Sequence, residues 1–350
     1  MFFQSLKEAV DSYFTGKGIR RTGDGRLYMK TGVLFTTAIA MYFIILFFSL
    51  PVWVIVPLGC LFGFTTACIG FNVMHDANHG SYSSDQRLNN LLGLTLNALG
   101  GNNFIWKFKH NIIHHTYPNV DGMDDDINKS PFIRMCSSQR WIPVHRVQHF
   151  YTPLLYAISS ILWVLFQDFE KYFRRKIQDT ELPEMKFKDH FIFWISKLLY
   201  IFFYVALPVL MIGWSNWLLF FLSLHLSLGF TLAVIFQLAH VVEETTFEFA
   251  ASGEITRVEN EWAIHQVKTT SNFSPNNRII SWLVGGLNYQ IEHHLFPRVS
   301  HIHYPALSKI VKEKCEAFNL PYNCIPSFRQ AVVSHFKLIR QLGREPTSVD

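Results

Sequence analysis

Charge is scarce in this 350-residue chain. Asp, Glu, Lys and Arg make up 16% of it, below the roughly 25% typical of soluble domains, whereas apolar residues make up 49%. This scarcity excludes an ordinary soluble protein and indicates an integral membrane protein. The formal net charge of +5 does not predict a nucleic-acid partner. The basic residues lie between and beyond the apolar segments, which is typical of juxtamembrane loops on the cytoplasmic side.

Paired cysteines and a signal peptide are also missing. The five cysteines form no CxxC pair and no even framework, which is typical of a reducing compartment. Residues 1–21 mix acids, bases and apolar side chains, so they lack the uninterrupted apolar core of a signal peptide. Two interpretations of this segment are open: an amphipathic helix at the membrane interface, or an ordinary surface helix.

Two long apolar runs follow and predict a pair of transmembrane helices. Neither residues 31–50 nor residues 52–74 contain a charge, and each run can cross a bilayer core, which takes about 20 residues. The link between them is too short for anything but a tight turn, so both outer ends emerge on the same side. Arg20, Arg21 and Lys30 precede the pair, which predicts that this side is the cytoplasm.

The later apolar segments predict a second helical pair and two helices that do not cross. Residues 91–105 are apolar but short and contain three asparagines, so they predict an interfacial or re-entrant helix. Residues 151–169 are amphipathic and rich in Trp and Phe, which predicts a helix lying at the interface. Residues 191–212 and 217–240 predict the second hairpin, because the turn at 213–216 carries no charge, as expected outside.

The predicted fold class is therefore all-α and integral to the membrane. Four transmembrane helices form two hairpins, both termini are cytoplasmic, and a cytoplasmic helical domain caps the membrane part. Residues 1–30 are predicted to be a cytoplasmic or interfacial segment and residues 31–307 the membrane and catalytic domain. Residues 308–350 are predicted to form a cytoplasmic helical tail.

Eight of the sixteen histidines fall in a pattern typical of metal binding. Most are spaced one or four residues apart at predicted helix ends, which places their imidazoles close together. Neutral imidazole is the commonest side-chain ligand of transition metals. The predicted ligands are His75, His79, His110, His114, His115, His240, His293 and His294, with Gln290 beside the last two. One metal rarely takes more than about six protein ligands, so this set predicts two metals.

Other interpretations of these side chains are open at this point. Any single histidine is also explained by lipid-headgroup binding or by a hydrogen-bonded core position, and His240 is selected by its predicted depth alone. Gln290 fits a weak ligand, a ligand through water, or a support for a neighbouring ligand. His225 is predicted to hydrogen-bond inside the helical bundle, and His301 and His303 are within predicted reach of an acyl headgroup. Solvated or capping roles are predicted for five histidines in polar segments: His145, His149, His190, His265 and His335.

Three sequence motifs contain most of the predicted ligands. HDANHG begins at His75, HNIIHHTYPN begins at His110, and NYQIEHHLFP begins at Asn288. They resemble the three histidine boxes of membrane fatty-acid desaturases, and the likeness runs from about residue 31 to residue 307. Gln290, where many relatives have His, resembles the front-end group (Δ5, Δ6 and Δ8 types). The second box and the HHLFP…HIHYP run are similar to those of bacterial acyl-lipid Δ6 desaturases.

The resemblance implies an O₂-dependent acyl desaturase. In that family a di-iron centre, here two iron ions on the predicted ligands, uses O₂ and two external electrons to introduce a cis double bond, of the Δ6 or Δ5 type. The implied substrate is an acyl-lipid or an acyl-CoA, and the implied location favours a bacterial inner membrane over the endoplasmic reticulum. No His-Pro-Gly-Gly haem motif of a fused cytochrome b5 domain is present. A separate ferredoxin or cytochrome b5 is therefore expected as electron donor, attracted by the basic residues Lys171, Arg174, Arg175 and Lys176.

Carboxylates near the motifs are predicted to orient the imidazoles by accepting their free N–H groups. They are Asp76, Asp124, Asp125, Asp126 and Glu292, and the Asp run also fits a solvated turn. The alternative function is a membrane di-iron fatty acyl or alkane hydroxylase, and a third class is a non-catalytic metal- or lipid-binding membrane protein. A zinc hydrolase is disfavoured, because dinuclear hydrolases usually include ligating carboxylates.

Overall fold

The structure, a computed structural model, describes residues 1–129, 131–249 and 259–344 and is mostly helical. The α-helices are α1 (Phe2–Lys17), α2 (Gly25–Phe47), α3 (Val52–Ile69), α4 (His75–His79), α5 (Gln86–Gly93), α6 (Thr95–Ala98), α7 (Asn103–Lys107), α8 (Gln148–Leu162), α9 (Asp168–Arg174), α10 (Phe187–Ile201), α11 (Leu207–His240), α12 (Glu259–Thr269), α13 (Arg278–Leu283), α14 (Gln290–Leu295), α15 (Tyr304–Ala317) and α16 (Phe328–Leu342). Wider π-helical turns join several of them, at Gly70–Met74, Phe108–His114, Trp163–Gln167 and Phe202–Ala206. Short 3-10 turns lie at Pro143–Val147 and His301–His303.

In the described part of the chain, three short ladders with two residues per strand connect the loops. The parallel pairs are β1 (Val120–Asp121) with β4 (Glu248–Phe249), and β5 (Asn272–Phe273) with β6 (Cys324–Ile325). The antiparallel pair is β2 (Lys176–Ile177) with β3 (Thr180–Glu181). Since each strand has only two residues, these ladders fix loop positions without forming a layer of their own.

Four helical stretches of the described chain are long and apolar enough to cross a membrane, which supports the prediction of a membrane protein. They are Gly25–Phe47, Val52–His79, Pro143–Arg174 and Phe187–His240. The first two correspond to the predicted first pair. The other two differ from the prediction: Phe187–His240 contains both helices of the predicted second pair, and Pro143–Arg174 contains the segment 151–169 that was predicted to lie at the interface.

Helix α2 begins earlier than predicted, at Gly25 instead of residue 31. The Asp24 side chain accepts a hydrogen bond of 2.9 Å from the Arg26 backbone N–H and so caps the first turn. As a result, Lys30 lies inside the helix and is only 6% exposed. Lys30, which directly precedes the apolar run 31–50, is therefore part of the helix, and its side chain points into the protein.

The stretch Phe187–His240 changes direction at Gly213, which has φ 79° and ψ 162°, a conformation that glycine adopts without a steric penalty. The Trp217 indole N–H donates to the Tyr204 carbonyl over 2.8 Å. Thirteen residues of straight helix would separate these groups by about 20 Å. Tyr204 and Trp217 are therefore much closer together than a straight helix would place them.

Residues 91–105 do not form the single interfacial or re-entrant helix that was predicted. They are divided among α5, α6 and α7, and Gly100, with φ 101°, lies in the break between α6 and α7. Asn102 then starts α7, since its side chain accepts a 3.0 Å hydrogen bond from the Ile105 N–H. The prediction that this segment is too short to cross agrees with the structure, in which none of these three helices reaches spanning length.

The backbones of helices α3 and α11 are in direct contact. This contact fixes the relative level of the histidines at the carboxyl ends of the two helices. A Cβ atom on Gly63 would lie 2.1 Å from the Leu224 carbonyl oxygen, and one on Gly59 would lie 2.0 Å from the Ser223 Oγ. Small residues allow such close packing in membrane helices. Because the contact positions increase together along both helices, α3 and α11 run in the same direction. Their carboxyl ends, which lead to α4 and His240, therefore lie at the same level.

The N-terminal helix packs against helices from the C-terminal third of the chain. Its apolar face, which includes Phe3, Leu6 and Val10, is buried against α12 and α15 in one cluster with residues of α14. Of the two interpretations left open for this segment, the packing favours a helix folded onto the protein. The boundary predicted at residue 307 falls inside α15, and residues 345–350 of the predicted tail lie outside the described range.

Candidate metal centre

Two of the three histidine motifs begin in a π-helical turn or directly after one. The π-helical turn Gly70–Met74 continues α3 into α4, which carries His75 and His79. A second π-helical turn, Phe108–His114, carries His110 and His114. The extra residue of a π-turn rotates the side chains that follow relative to a regular helix, and such turns are frequent at functional sites. Both turns aim their histidines at the same buried volume.

The third motif and the end of α11 complete the arrangement. Helix α14 presents Gln290, His293 and His294, and His240 is the last residue of α11. The eight predicted histidine ligands and Gln290 are all buried, with exposed fractions of at most 9%. The structure thus brings all nine predicted ligand residues to one site.

Four histidines form the first group, which contains both ligands of the first motif. One ring nitrogen from each of them lies within 4.8 Å of the others, and its members are His75, His79, His110 and His293. The rings of His75 and His293 are 4.5 Å apart between centroids, although these residues come from the first and third motifs. This group can therefore enclose one metal ion.

Three histidines from different elements form the second group, with Gln290 at its edge. His114, His240 and His294 each offer a nitrogen within 4.8 Å of the others. The Gln290 Nε2 lies 3.1 Å from the His240 Nε2, and the Gln290 Oε1 is buried without a hydrogen-bond partner. His240, which was selected by depth alone, is therefore a full member of the site, and the free amide oxygen of Gln290 is available beside it.

His115 lies between the two groups. Its ring centroid is 4.8 Å from that of His79, 4.7 Å from that of His293 and 4.4 Å from that of His294. Both of its ring nitrogens are buried and lack hydrogen-bond partners. The eight imidazoles consequently form one continuous cluster rather than two separate sites.

The chemistry of the cluster fits metal binding. A buried polar atom that makes no hydrogen bond costs about 1–3 kcal/mol, so a native fold retains few of them. Here six of the histidines have at least one such nitrogen: His79, His114, His115, His240, His293 and His294. Burial, with a smaller contribution from neighbouring imidazoles, holds the pKa values of His110, His115, His293 and His294 well below the ordinary value. These rings are therefore neutral at physiological pH, as metal ligation requires.

Hydrogen bonds from outside the cluster fix the rings of three histidines. The Nδ1 atom of His114 lies 3.1 Å from the Asp124 carboxylate, as predicted. The Nδ1 of His294 lies 2.8 Å from the Gln266 Oε1, and the Nδ1 of His293 lies 3.1 Å from the Tyr304 hydroxyl. Each contact leaves the Nε2 of its ring directed at the cluster, which is the usual arrangement around a metal.

Sequence reasoning missed three residues that hold the site. Tyr304 lies in the quoted HIHYP run, and Asn119 closes the second motif, so a sequence signal was present for both. Asn119 donates from its side chain to the His240 carbonyl over 2.7 Å and thereby ties the second motif to the end of α11. Gln266 lies in α12, where no motif marks it.

Four of the five predicted carboxylate partners have other contacts. Asp76 accepts from Ser300 and His301, and Glu292 accepts from Asn272 and Tyr322. Neighbouring helical residues point about 100° apart, so a position next to a ligand does not by itself bring a carboxylate to the cluster. Burial raises the pKa of the Glu292 carboxyl to about 7.

The Asp run is only partly solvated and binds lysines. Asp125 accepts from Lys171 over 2.7 Å and pairs with Lys109, and Asp126 pairs with Lys109 as well. The nearest Asp126 oxygen is 3.8 Å from the His114 Nδ1, which is beyond hydrogen-bond distance. The prediction that these carboxylates orient imidazoles therefore holds for Asp124 and is wrong for the other two.

The remaining histidines are mostly structural. His225 hydrogen-bonds to Ser160 and Tyr200, as predicted. His265 and His335 are buried and hydrogen-bond to main-chain carbonyls, so the prediction of a solvated position is wrong for them. His301 contacts Asp76 and Lys30 and is 4% exposed, which leaves it no contact with a headgroup.

Comparison with known proteins agrees with the geometry. The fatty acid desaturase family matches the chain over residues 51–326. An sn-1 linoleoyl-lipid 6-desaturase from Synechocystis sp. is 34% identical over 98% of this chain and 96% of its own length. The sn-1 linoleoyl-lipid 6-desaturase of Arthrospira platensis is 33% identical, covering 99% of this chain and 93% of the relative. An acyl-lipid (8-3)-desaturase from Physcomitrium patens is 34% identical over 98% of this chain and 72% of its own length. The chain thus belongs to the fatty acid desaturase family, and it is a membrane oxidoreductase of lipid metabolism.

Proposed function

We propose that this protein is a front-end acyl-lipid desaturase that introduces a cis double bond at carbon 6 of an acyl chain. The observation that carries the proposal is the cluster of eight buried imidazoles, with unpartnered nitrogens on six of them. The names of the two 6-desaturases support the position of the double bond. A Δ5 position is the alternative within the same group, and hydroxylation of the acyl chain is the alternative reaction.

Two irons are the proposed metals. His75, His79, His110 and His293 would hold one iron, and His114, His240 and His294 would hold the other. His115 lies within reach of both positions, and Gln290 would complete the second position directly or through a water. When bound, the irons supply the O₂-dependent oxidation of unactivated methylenes, which no protein side chain performs alone.

Residues around the cluster hold the ligand side chains in place and limit their contact with bulk water. Asp124, Gln266 and Tyr304 hold Nδ1 atoms, so the opposite nitrogens stay directed inward. Trp106 stacks on the His110 ring with a centroid distance of 4.4 Å and covers one side of the first group. The ligand side chains are at most 9% exposed, so bulk water has little access to the proposed metal positions except along the groove beside His79 and His115, which limits side reactions of a strong oxidant.

The proposed topology is two helical hairpins with both termini in the cytoplasm, most simply in a bacterial inner membrane. The parallel packing of α3 and α11 supports it, because the two hairpins then present their histidine-bearing ends at the same membrane surface. The Trp217–Tyr204 contact supports a reversal of the chain at Gly213, in the turn that lacks charge. In this arrangement the helices between the hairpins and after them cap the membrane part and carry the ligands.

A separate ferredoxin or cytochrome b5 is the proposed electron donor. The structure weakens one argument for its docking site, because three of the four basic residues are paired within the protein. Lys171 binds Asp125, Arg174 binds Glu170 over 2.6 Å, and Lys176 lies 3.7 Å from Glu181. Electrostatic attraction at this segment is therefore smaller than the sequence suggested.

The test is product analysis with the purified full-length protein. The protein is incubated with O₂, a reduced ferredoxin and linoleoyl lipids, and new double bonds are located by mass spectrometry. We expect a new double bond at carbon 6 and about two irons per chain, because eight clustered imidazoles are more than one metal ion takes. A hydroxylated product would favour the alternative reaction, and an active preparation with one zinc and no iron would overturn the metal assignment.

A further inference from the structure

A groove opens beside the histidine cluster. Its volume is about 780 Å³, and its wall includes two of the proposed iron ligands, His79 and His115. The rest of the wall is mostly polar, with the side chains of Gln86, Asn111, Thr116, Trp262 and Arg298. A volume of several hundred Å³ is typical of small-molecule sites. The groove therefore connects the surface to the proposed metal centre.

We propose that this groove binds the glycerol-ester end of a membrane glycerolipid while one acyl chain of the same lipid reaches the histidine cluster. The inference rests on the proposed function. It adds the place where the polar end of the substrate binds and the residues that recognise it.

The position of the double bond requires the polar end of the substrate to lie close to the metals. Five bonds separate the ester carbon from carbon 6, and an extended chain advances about 1.2 Å per bond, so the distance is about 6 Å. A desaturase that acts in the middle of an acyl chain has no such restriction. In this protein the ester must lie next to the ligands, and in the groove a polar wall directly meets His79 and His115.

The wall offers the hydrogen-bonding groups that a glycerolipid needs. The Asn111 Nδ2 donates to the Asn78 carbonyl over 3.0 Å, whereas its Oδ1 is buried and unpartnered. A hydroxyl of the headgroup would donate to this oxygen. The exposed guanidinium of Arg298 is a donor for ester carbonyl or phosphate oxygens. Ile112, which is 55% exposed, adds an apolar edge that suits a ligand entering from a bilayer.

The charge of the wall matches the headgroup of a glycerolipid, whose phosphate is only a few bonds from the ester. Among the described residues that line the groove, Arg298 is the single Lys or Arg. One cation matches a headgroup with at most one phosphate, so the groove fits a glycerolipid.

The test compares groove variants with a matched control on the purified full-length protein. Arg298→Gln and Asn111→Ala each remove one group of the wall, and Arg329→Gln changes an exposed arginine on α16 in the same way. The substrate is 1-linoleoyl phosphatidylglycerol in nanodiscs, with linoleoyl-CoA assayed in parallel. Each groove variant should raise the KM for the lipid about fivefold, the usual effect of one lost hydrogen bond. The kcat, the iron content and the KM for ferredoxin should match those of Arg329→Gln.

Several results would overturn the inference. If the groove variants raise the KM for ferredoxin and not for the lipid, the groove is the docking site of the donor. If linoleoyl-CoA is the better substrate and Arg298→Gln weakens its binding, the carrier is wrong. A wild-type protein that forms no double bond at carbon 6 contradicts the proposed function instead, which separates the two failures.

A second measurement needs no variant and so does not depend on the folding of one. Phosphatidylglycerol with two four-carbon chains has the same glycerol-ester end but no carbon 6. On the wild-type protein it should inhibit competitively against the lipid substrate and non-competitively against ferredoxin. Absence of inhibition at concentrations well above the KM of the lipid would contradict binding of the glycerol-ester end.

Discussion

Replacing Asp124 by Asn tests whether one carboxylate controls one of the two proposed iron positions. Asp124 is 1% exposed and accepts from the His114 ring and from the Asn119 and Asp126 N–H groups. An asparagine of the same shape has one acceptor oxygen, so it cannot satisfy all three donors. His114 belongs to the second group, and none of the first-group histidines contacts Asp124 among the described residues. The loss should therefore fall on one iron only.

The size of the effect follows from the hydrogen bond that is lost. A bond to a charged acceptor contributes about 1.5–3 kcal/mol, and a neutral one about 0.5–1.5 kcal/mol, so Asp124→Asn loses about 1.5 kcal/mol at His114. That difference corresponds to a factor of about ten in affinity. Outer partners of metal ligands generally change metal affinity by about 10–100-fold. We expect the second position to release iron at a chelator concentration lower by this factor.

The assay is chelator titration of the purified protein with metal analysis at each step. Asp121→Asn is the control, because Asp121 is also buried and binds Ser138 and Gln139, but no imidazole. Asp124→Asn should pass through a state with about one iron per chain, whereas Asp121→Asn should follow the wild type. Equal chelator resistance of the two folded variants would refute the reasoning that Asp124 acts through His114.

Three further predictions concern other parts of the molecule. Gln290→Ala should reduce desaturation severely while the protein stays folded, and Gln290→His should retain part of the activity. Normal turnover and iron content in Gln290→Ala would show that Gln290 is not needed for the reaction. Lys197→Met should lower the free energy of unfolding by about 3–5 kcal/mol, because it leaves the buried Asp168 carboxylate without its 2.8 Å partner. Thermal unfolding in detergent measures this loss of stability, and an unchanged midpoint would contradict the prediction. Turnover with ferredoxin should depend only weakly on ionic strength, because Lys171, Arg174 and Lys176 are already paired. A steep decrease of turnover with salt would instead show that charged residues attract the ferredoxin strongly.

The convergence of the eight histidines could be predicted because it depends on local spacing and on the lengths of the apolar runs. The motifs place His75 and His79 one turn apart, and the length of the last apolar run ends it at His240. The same logic failed for the carboxylates, since spacing does not say which way a neighbouring residue points. Gln266 could not be found at all, because its contact with His294 joins α12 to α14 through tertiary packing.

Helix boundaries were less predictable where a polar residue had a partner far along the chain. The predicted helix began after Lys30, because lysine is charged. In the structure the Lys30 ammonium lies 3.2 Å from the His301 Nε2 inside the protein. Composition also did not separate a spanning helix from an interfacial one at Pro143–Arg174. That stretch is long and apolar enough to cross, although its Trp- and Phe-rich part resembles a helix lying at the interface.

The contacts of His301 explain why the membrane helices and the histidine motifs form one unit. If Lys30 donates to the Nε2, the Nδ1 carries the proton and donates to Asp76 over 3.0 Å, so one neutral ring connects a buried cation with a buried anion. Lys30 belongs to α2, Asp76 to the first motif and His301 to the segment after the third motif. Removal of any one of them leaves a buried charge uncompensated, which is costly in a protein interior. The position of α14 relative to α4, and with it the distance between His293 and His75, therefore depends on a polar contact that begins at the first membrane helix.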